Sequence, residues 1–261
     1  MNLPETIILE VEDHVATITI NRPERRNSTT PEMRDAIREA FRWADAESDI
    51  WVIIFTGAGE QAFCAGADLS SSVTRMTADP TAGIREAFPD PSKRYFSDVF
   101  TPIIAAVNGV ATAGGMEMLL GTDLRIAAEH ASFGLAEVRW GLVPMGGSHV
   151  RLPRQVPWAV AMQMLLTGDR IDARRAYEIG LVNEVTSAAE LMPTARRLAA
   201  RLTENGPLAM RTAKESAVRG LHLESAFSQD YYLAGRVFGS HDAVEGPRAF
   251  TEKRPPQFEN R

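Results

Sequence analysis

The feature that most constrains the fold is a continuous apolar run at residues 50–56, with the sequence Ile-Trp-Val-Ile-Ile-Phe-Thr. A strand with one face in water alternates apolar and polar side chains. An unbroken apolar run of this length is instead typical of a strand that is covered on both faces. A second apolar run follows at residues 102–107, and a shorter strand candidate follows at residues 123–128. The pattern therefore predicts an α/β protein built on a buried sheet.

The flanking segments predict a hairpin, a helix and a helical tail. Residues 6–10 and 14–20 have strand patterns, and the Glu12-Asp13 pair between them suits a turn. The Thr30-Pro31-Glu32 sequence is typical of a helix start, and the helix is expected to end near Asp45. From about residue 156 onward the chain is expected to be helical, with glycines between the helices. The predicted helices span residues 156–166, 172–179, 188–204, 207–219, 223–238 and 242–250.

Composition limits the kinds of partner, compartment and metal site that we expect. The formal net charge is −6 and the 28 basic residues are dispersed, which argues against a nucleic-acid groove as the main surface. A single cysteine, Cys64, excludes an intrachain disulfide and suits a reducing compartment. No segment has the length and hydropathy of a membrane span, so we expect a cytoplasmic protein without a membrane partner. The five histidines lack ligand spacing, so no metal site is expected.

Two glutamates, Glu117 and Glu137, stand in largely apolar, glycine-rich surroundings. Carboxylates are costly in such places unless they have a chemical role or a partner. Glu117 could simply complement the dipole of a helix that begins just before it. Glu137 could pair with Arg139 or Arg151. The sequence therefore marks both residues as candidates for chemistry and leaves these structural roles open.

Two turns of small residues lie close to the same region. Ala65-Gly66-Ala67 follows the first apolar run, and Gly114-Gly115 opens the predicted helix that carries Glu117. Small side chains let another molecule approach the backbone and leave N–H groups free to donate. The two turns could each direct one N–H at a single oxygen, which would suit an acyl group whose carbonyl becomes an enolate. The first turn could equally be a tight connection that needs small residues.

These features resemble the enoyl-CoA hydratase/isomerase, or crotonase, superfamily over essentially the full chain. The resemblance is carried by eight short motifs in a specific order: Asn21-Arg-Pro23, Ala65-Gly-Ala-Asp68, residues 102–109, Gly114-Gly-Met-Glu117, Phe133-Gly-Leu-Ala-Glu137, Gly141-Leu-Val-Pro144, Leu166-Thr-Gly-Asp-Arg170 and Glu252-Lys-Arg254. It implies a crotonase-like spiral of ββα units over residues 1–200. It further implies a C-terminal helical trimerisation region over residues 201–261, and a homotrimer or dimer of trimers.

The resemblance also assigns roles to residues. It places an oxyanion hole on the backbone N–H groups of Ala67 and Gly114, and the two hydratase carboxylates on Glu117 and Glu137. It implies that coenzyme A, carried as part of the acyl-CoA substrate, meets one set of residues: Arg25, Arg26, Ala65, Asp68, Leu69 and Lys253. Lys253 is expected to reach the phosphates from a neighbouring helix or subunit, and Asp68 is expected to stabilise the loop. No separate cofactor is expected.

The implied activity is that of an enoyl-CoA hydratase in fatty acid metabolism. In such hydratases the two glutamates hold one water over the Cα=Cβ bond. The position of Glu117 helps to activate the water, and that of Glu137 delivers a proton to Cα. The helix start is expected to favour the charged form of Glu117. Residues 70–91 are expected to form a specificity loop, and Met116, Trp140 and Met145 an apolar pocket wall.

Other functions remain open within the superfamily and beyond it. The same scaffold supports isomerisation, dehalogenation, decarboxylation and thioester hydrolysis. Two retained glutamates favour hydration over isomerisation, and residues 141–153 resemble the carnitinyl-CoA dehydratase branch. An RNA-binding or non-catalytic role would call for a lysine-rich exposed helix, and none is obvious. Among the histidines, His149 is the one placed near the predicted site, and Cys64 is expected to be a packed residue.

Overall fold

The computed structural model describes residues 3–68 and 88–261. Leu69 and most of the predicted specificity loop therefore lie outside the described residues. The strands are β1 Ile7–Glu12, β2 Val15–Ile20, β3 Val52–Gly57, β4 Ala62–Cys64, β5 Ile103–Val107, β6 Val110–Thr112, β7 Leu124–Ala128, β8 Ser132–Gly134, β9 Ile171–Asp172 and β10 Glu184–Thr186.

The described α-helices begin with one that precedes the central strand and end near the C-terminus. They are α1 Pro31–Ala46, α2 Gly114–Leu119, α3 Ser148–Gln155, α4 Trp158–Thr167, α5 Ala173–Glu178, α6 Leu191–Thr203, α7 Pro207–Gly220, α8 Leu223–Phe238 and α9 Asp242–Thr251. Short 3-10 helices span Pro23–Arg25, Glu137–Trp140 and Ala188–Glu190. The described part of the chain contains no helix with the length and hydropathy needed to cross a bilayer.

The larger sheet has six strands in the order β1-β2-β3-β5-β7-β10. β1 and β2 form the predicted antiparallel hairpin, and the remaining neighbours pair in parallel. Successive residues of β3 enter two different cores: Ile53 and Phe55 pack on the side of α1, whereas Val52 and Ile54 pack on the side of α6. This two-sided burial confirms the prediction made from the unbroken apolar run.

The smaller sheet has the order β4-β6-β8-β9 and was not predicted. Each of β4, β6 and β8 follows a strand of the larger sheet after a short turn, so the chain alternates between the two sheets. This alternation produces the spiral of paired strands and helices that the resemblance implied. It also places Phe63 and Cys64 in β4 rather than in a loop, so the Ala65–Asp68 turn follows a strand of the smaller sheet.

Buried and half-buried basic side chains of the helical tail form ion pairs and hydrogen bonds with the α/β core. Lys214 on α7 lies 2.6 Å from the Asp123 carboxylate and donates to the Thr101 carbonyl at 3.0 Å. Arg211 on the same helix donates to the Asp45 carbonyl at 2.8 Å. The predicted helices are confirmed to within a few residues, and α3 was missed. The division at residue 200 stays a prediction.

Candidate active site

The turn after β4 leaves one backbone donor available. Thr29 donates to the Gly66 carbonyl at 2.8 Å, and Asp68 donates to the Thr29 carbonyl at 2.9 Å. These two bonds lie on either side of Ala67 and fix its peptide plane. Within residues 3–68 and 88–261, the Ala67 N–H has no acceptor. The turn therefore presents the predicted donor in a rigid frame.

The turn before α2 approaches the same place. Gly114 is the first residue of α2, so its N–H lacks an acceptor within the helix. A β-carbon built on Gly66, where φ is +93°, would lie only 3.2 Å from Gly114 N and 2.8 Å from the Ala113 β-carbon. A β-carbon on Gly114 would lie 3.9 Å from Ala67 N. The two turns are thus in contact, and the structure brings both predicted N–H donors together.

Ala113 adopts a backbone conformation that normally favours glycine. Its φ is 50° and its ψ is −128°, and its N–H donates to the Gly134 carbonyl at 3.2 Å. A non-glycine residue in such a region carries strain of about 1–3 kcal/mol, which the surrounding structure must offset. The strained peptide orients the start of α2, and with it the Gly114 N–H.

Glu117 is buried on α2, and its carboxylate is held by a loop from another part of the chain. The Gly146 N–H donates a short hydrogen bond to Oε1 of Glu117. A β-carbon on Gly146 would lie 2.8 Å from Cδ of Glu117, so a glycine is needed for this approach. The carboxylate is therefore bonded across the site rather than to its own helix, unlike the structural role considered from sequence.

Glu137 begins a 3-10 helix, Glu137–Trp140. The residue as a whole is half-buried, but its Oε2 atom is buried and has no hydrogen-bond partner among the described residues. Arg139 pairs with Asp169 instead, and Arg151 donates to the Tyr95 carbonyl at 2.7 Å. The structural role considered for Glu137, pairing with one of these arginines, is wrong.

Burial raises the pKa of both glutamates. The pKa of Glu117 rises from 4.5 to about 8, mainly through loss of water and then through the charge of Glu137, while the Gly146 N–H acts in the opposite direction. Burial raises the pKa of Glu137 to about 7. The effect expected from the helix start, which favours the charged form of Glu117, is smaller than the effect of desolvation, so the pKa is raised overall. The two carboxyl groups titrate as a pair that retains a proton near neutral pH.

The loop predicted to meet coenzyme A is fixed from inside by Asn27. The Asn27 side chain is fully buried, donates to the Ala58 and Ala62 carbonyls at 3.0 and 2.6 Å, and accepts from the Arg22 N–H at 2.9 Å. Sequence reasoning did not single out this residue. Arg25 and Arg26 are exposed at the end of the loop.

The remaining predicted coenzyme A residues have different settings. Asp68 is buried and forms a 2.7 Å ion pair with Arg22, so it stabilises the loop, as expected. Ala65 donates to the Arg26 carbonyl at 3.1 Å and so joins the loop to the turn after β4. Lys253 is exposed beyond the end of α9. The coenzyme A roles stay predictions.

A polar pair that sequence reasoning missed lies beside Glu117. Nδ1 of His149 lies 2.7 Å from Oδ1 of Asp230, a residue of α8 that is 81 positions away in the chain. No local pattern connects the two. Cys64 is buried, and burial raises the pKa of its thiol to about 12, which fits a packed residue. No group of three or more potential metal ligands occurs among the residues that the structure describes.

Comparison with known proteins identifies the family. The family model for enoyl-CoA hydratase/isomerase matches residues 10–261. The chain is 40% identical over 260 residues to a Mycobacterium tuberculosis protein named enoyl-CoA hydratase EchA19, covering 97% of this chain and 96% of that one. It is 39% identical over 256 residues to (E)-benzylidenesuccinyl-CoA hydratase of Thauera aromatica, covering 97% and 98%.

A solved structure agrees with these relatives. The crystal structure of a carnitinyl-CoA hydratase from Mycobacterium avium superposes with a TM-score of 0.87 at 35% identity, covering 99% of this chain and 100% of that one. The matches extend through both sheets and the helical tail. The chain therefore belongs to the enoyl-CoA hydratase/isomerase family.

Proposed function

We propose that this protein is an enoyl-CoA hydratase, a hydro-lyase that adds water reversibly across the 2,3 double bond of an enoyl-CoA thioester. The observation that carries this proposal is the pairing of buried Glu117 with half-buried Glu137, both with raised pKa values, beside two converging backbone turns. Members of the family act on acyl-CoA thioesters, and relatives at 36–40% identity are named as hydratases or dehydratases of such thioesters.

The two turns provide a site for the thioester carbonyl. The N–H groups of Ala67 and Gly114 lie in neighbouring turns and lack acceptors among the described residues. A carbonyl oxygen held by both becomes more negative as the enolate forms, and fixed donors stabilise that charge without reorganising. Loss of one such donor typically lowers the rate by about 10²–10³-fold.

The two carboxyl groups then accept and donate the protons of the reaction. Near neutral pH the pair retains one proton, so one member is available to accept and the other to donate. The reactive form of the coupled pair is the one with its single proton on Glu137. In the hydration direction, the ionised Glu117 of this form takes a proton from water while the water oxygen bonds to Cβ. The π electrons move to form the enolate, and Glu137 gives its proton to Cα. Oε2 of Glu137 has no hydrogen-bond partner among the described residues, so it is free to form a hydrogen bond with the substrate water.

The proposal also covers the residues that bind coenzyme A, the oligomeric state and the location of the protein. The exposed Arg25 and Arg26 are suited to phosphate groups, with Ala65 and Asp68 fixing the loop beneath them. Lys253, which is exposed beyond α9, is assigned to the phosphates from a neighbouring helix or subunit, as the family resemblance implies. The proposed assembly is a homotrimer or a dimer of trimers in the cytoplasm.

Substitution of the two glutamates tests the activity. Glu117→Gln and Glu137→Gln are each expected to lower kcat by about 10²–10⁴-fold, the usual contribution of a positioned acid or base. The measurement is loss of the conjugated absorbance with a panel of enoyl-CoA thioesters, with identification of the 3-hydroxyacyl product. Glu129→Gln, at an exposed glutamate, is the matched control and should retain full activity.

Several outcomes would contradict the proposal. Full hydratase activity of Glu137→Gln would remove this residue from the mechanism. A product with a shifted double bond and no added water would indicate an isomerase. Salt-dependent RNA binding without turnover of any enoyl thioester would indicate a non-catalytic relative.

A further inference from the structure

A cluster of polar side chains lies close to Glu117. His149 lies in the first turn of α3 and forms a 2.7 Å contact with Asp230 of α8. Behind them, Nη2 of Arg94 lies 3.9 Å from Oδ2 of Asp230. Asp230 and Arg94 are buried, whereas the His149 side chain is 30% exposed. The imidazole is thus the part of this cluster that an incoming molecule can reach.

The cluster adjoins Glu117 through a short loop. Gly146 donates to the Glu117 carboxylate, and His149 follows it by three residues. The electrostatic effect on Glu117 agrees with this proximity, because a charged His149 lowers the pKa of Glu117 and Asp230 raises it. Tyr95 packs against the same loop, with its ring 2.7 Å from a β-carbon built on Gly146. The cluster therefore lies close to the Glu117 carboxylate, and so close to the proposed reacting carbons.

The cluster contains polar atoms, including Nε of Arg94, that form no hydrogen bond within the described part of the chain, although Oδ2 of Asp230 has the Arg94 ion pair. Oδ2 of Asp230 and Oγ of Ser148 are both buried without a hydrogen bond, on residues that are 8% and 0% exposed. Each unsatisfied buried group typically costs about 1–3 kcal/mol. The other ring nitrogen of His149 is also available, because Nδ1 already contacts Asp230. The half-exposed His149 ring is the part that a substrate can reach, and a wholly hydrocarbon acyl chain would give its free nitrogen no partner.

We propose that His149 and Asp230 form a subsite for a hydroxyl group carried by the acyl chain beyond Cβ. The preferred substrate is then an enoyl-CoA thioester with a polar, uncharged acyl chain rather than a plain alkyl chain. A hydroxyl group can donate one hydrogen bond and accept others, which suits a carboxylate acceptor beside an imidazole. This inference rests on the proposed hydratase function and specifies its substrate class.

Charged acyl groups fit the cluster less well. A carboxylate would meet the negative charges of Glu117, Glu137 and Asp230. The charge of Arg94 is already opposed by Asp230, and its Nη atoms already donate to the Pro91, Lys93 and Phe227 carbonyls. It also lies over the Phe88 and Phe227 rings at 5.2 and 5.3 Å. A cationic group would meet Arg94 and, when protonated, His149.

Matched substrates test the subsite. The wild-type kcat/KM is measured for 2-hexenoyl-CoA and for its 4-, 5- and 6-hydroxy derivatives, together with carboxylate and trimethylammonium analogues of similar length. At least one hydroxy derivative is expected to exceed the alkyl substrate by about tenfold, which corresponds to one net hydrogen bond of about 1.4 kcal/mol. Equal or higher values for the alkyl, carboxylate or cationic substrates would overturn the proposal.

Variants separate recognition from a general structural effect. His149→Leu and Asp230→Asn are each expected to lower the ratio of kcat/KM for the preferred hydroxy substrate over kcat/KM for the alkyl substrate to about one. A proportional loss for both substrates would mean that the pair only supports the fold, and would overturn the proposal. His222→Leu, at an exposed histidine before α8, is the matched control and should retain the wild-type preference.

Binding measurements test the subsite independently of the hydratase reaction. Saturated hexanoyl-CoA and its hydroxy derivatives cannot be hydrated, so calorimetry gives their Kd even if no enoyl thioester turns over. Tighter binding of a hydroxy derivative in the wild type, lost in both variants, would support the subsite without hydratase activity. Equal Kd values would overturn it, while failure of turnover would contradict only the proposed function.

Discussion

The protons on Glu117 and Glu137 determine what the site can do. Both groups lie in surroundings that disfavour charge, and each disfavours the ionised form of the other. The folded protein therefore binds protons on this pair at a pH where the unfolded chain has released them. Stability and activity depend on the same two groups, so one titration affects both.

Glu117→Gln is expected to weaken the pH dependence of stability. The favourable contribution of the protonated pair is fully present below the ordinary glutamate pKa of 4.5 and is lost as pH rises to about 8. Glutamine does not titrate, yet its side-chain oxygen can still accept from the Gly146 N–H. The Tm of the variant relative to wild type should therefore increase between pH 5 and pH 8.5 in thermal unfolding.

The exposed Glu129→Gln variant controls for removal of a glutamate in general. Its Tm difference from wild type should stay constant over the same pH range. A constant difference for Glu117→Gln as well would show that the folded-state pKa of Glu117 is not raised.

Sequence reasoning found the two glutamates because apolar neighbours make a carboxylate conspicuous. It also found the N–H donors, because small residues at turns mark places of close approach. It did not find Asp230, which lies among ordinary helix residues and reaches His149 only through packing of α8 against α3. Nor did it predict the raised pKa of Glu117, since burial depends on the loop that carries Gly146. Side chains that act through long-range contacts leave no local pattern.

The 3-10 helix that carries Glu137 is supported by the last helix of the chain. Gly246 on α9 packs directly against the Trp140 carbonyl, and a β-carbon at that position would overlap it. The Trp140 and Phe250 rings also meet edge to face at 4.8 Å. The position of Glu137 therefore depends on α9, although the two are far apart in sequence.

Gly246→Ala is expected to lower activity by displacing the Glu137 helix. The added methyl group must push α9 away from Trp140, so we expect kcat to fall about tenfold or more and Tm to fall as well. Gly235→Ala in α8 is the matched control, because a β-carbon there meets no atom within 4 Å. That change should raise stability by up to about 1 kcal/mol through helix propensity and leave kcat unchanged.

Comparison of the two variants decides whether α9 positions the site. If Gly246→Ala folds and retains wild-type kcat, the contact with Trp140 has no part in placing Glu137. A loss of Tm without loss of kcat at permissive temperature would lead to the same conclusion.

Long elements were predictable, and short ones were not. The β3 and β5 runs and the tail helices have enough residues to show a period or a continuous apolar run. The strands β4, β6 and β8 have three residues each, too few to show alternation. Helix α3 has only eight residues, contains Pro153 and follows a glycine pair, so its sequence shows no clear helical period. The spiral of paired strands was therefore obtained from the resemblance rather than from periodicity.

The helical tail leaves large apolar side chains exposed on a single chain. Leu208 on α7 is 76% exposed and Tyr232 on α8 is 77% exposed. Trp158 and Leu166 on α4 are similarly open. Several large apolar side chains on neighbouring helices are typical of a surface that another protein copy covers. This agrees with the proposed trimer, in which Lys253 of one subunit would reach the coenzyme A loop of another.

A double variant, Leu208→Asp with Tyr232→Asp, is expected to dissociate the assembly. Each buried apolar side chain contributes roughly 1.5–3 kcal/mol to association, and a buried unpaired carboxylate adds a further penalty. Light scattering should show three or six times the mass of one chain for wild type, and a smaller species for the variant. Val11→Asp, at an exposed position on β1 outside the tail, is the control and should keep the wild-type mass.

If Lys253 acts between subunits, the dissociated variant should also show a raised KM for the CoA thioester. Wild-type mass for the double variant would place the subunit interface elsewhere.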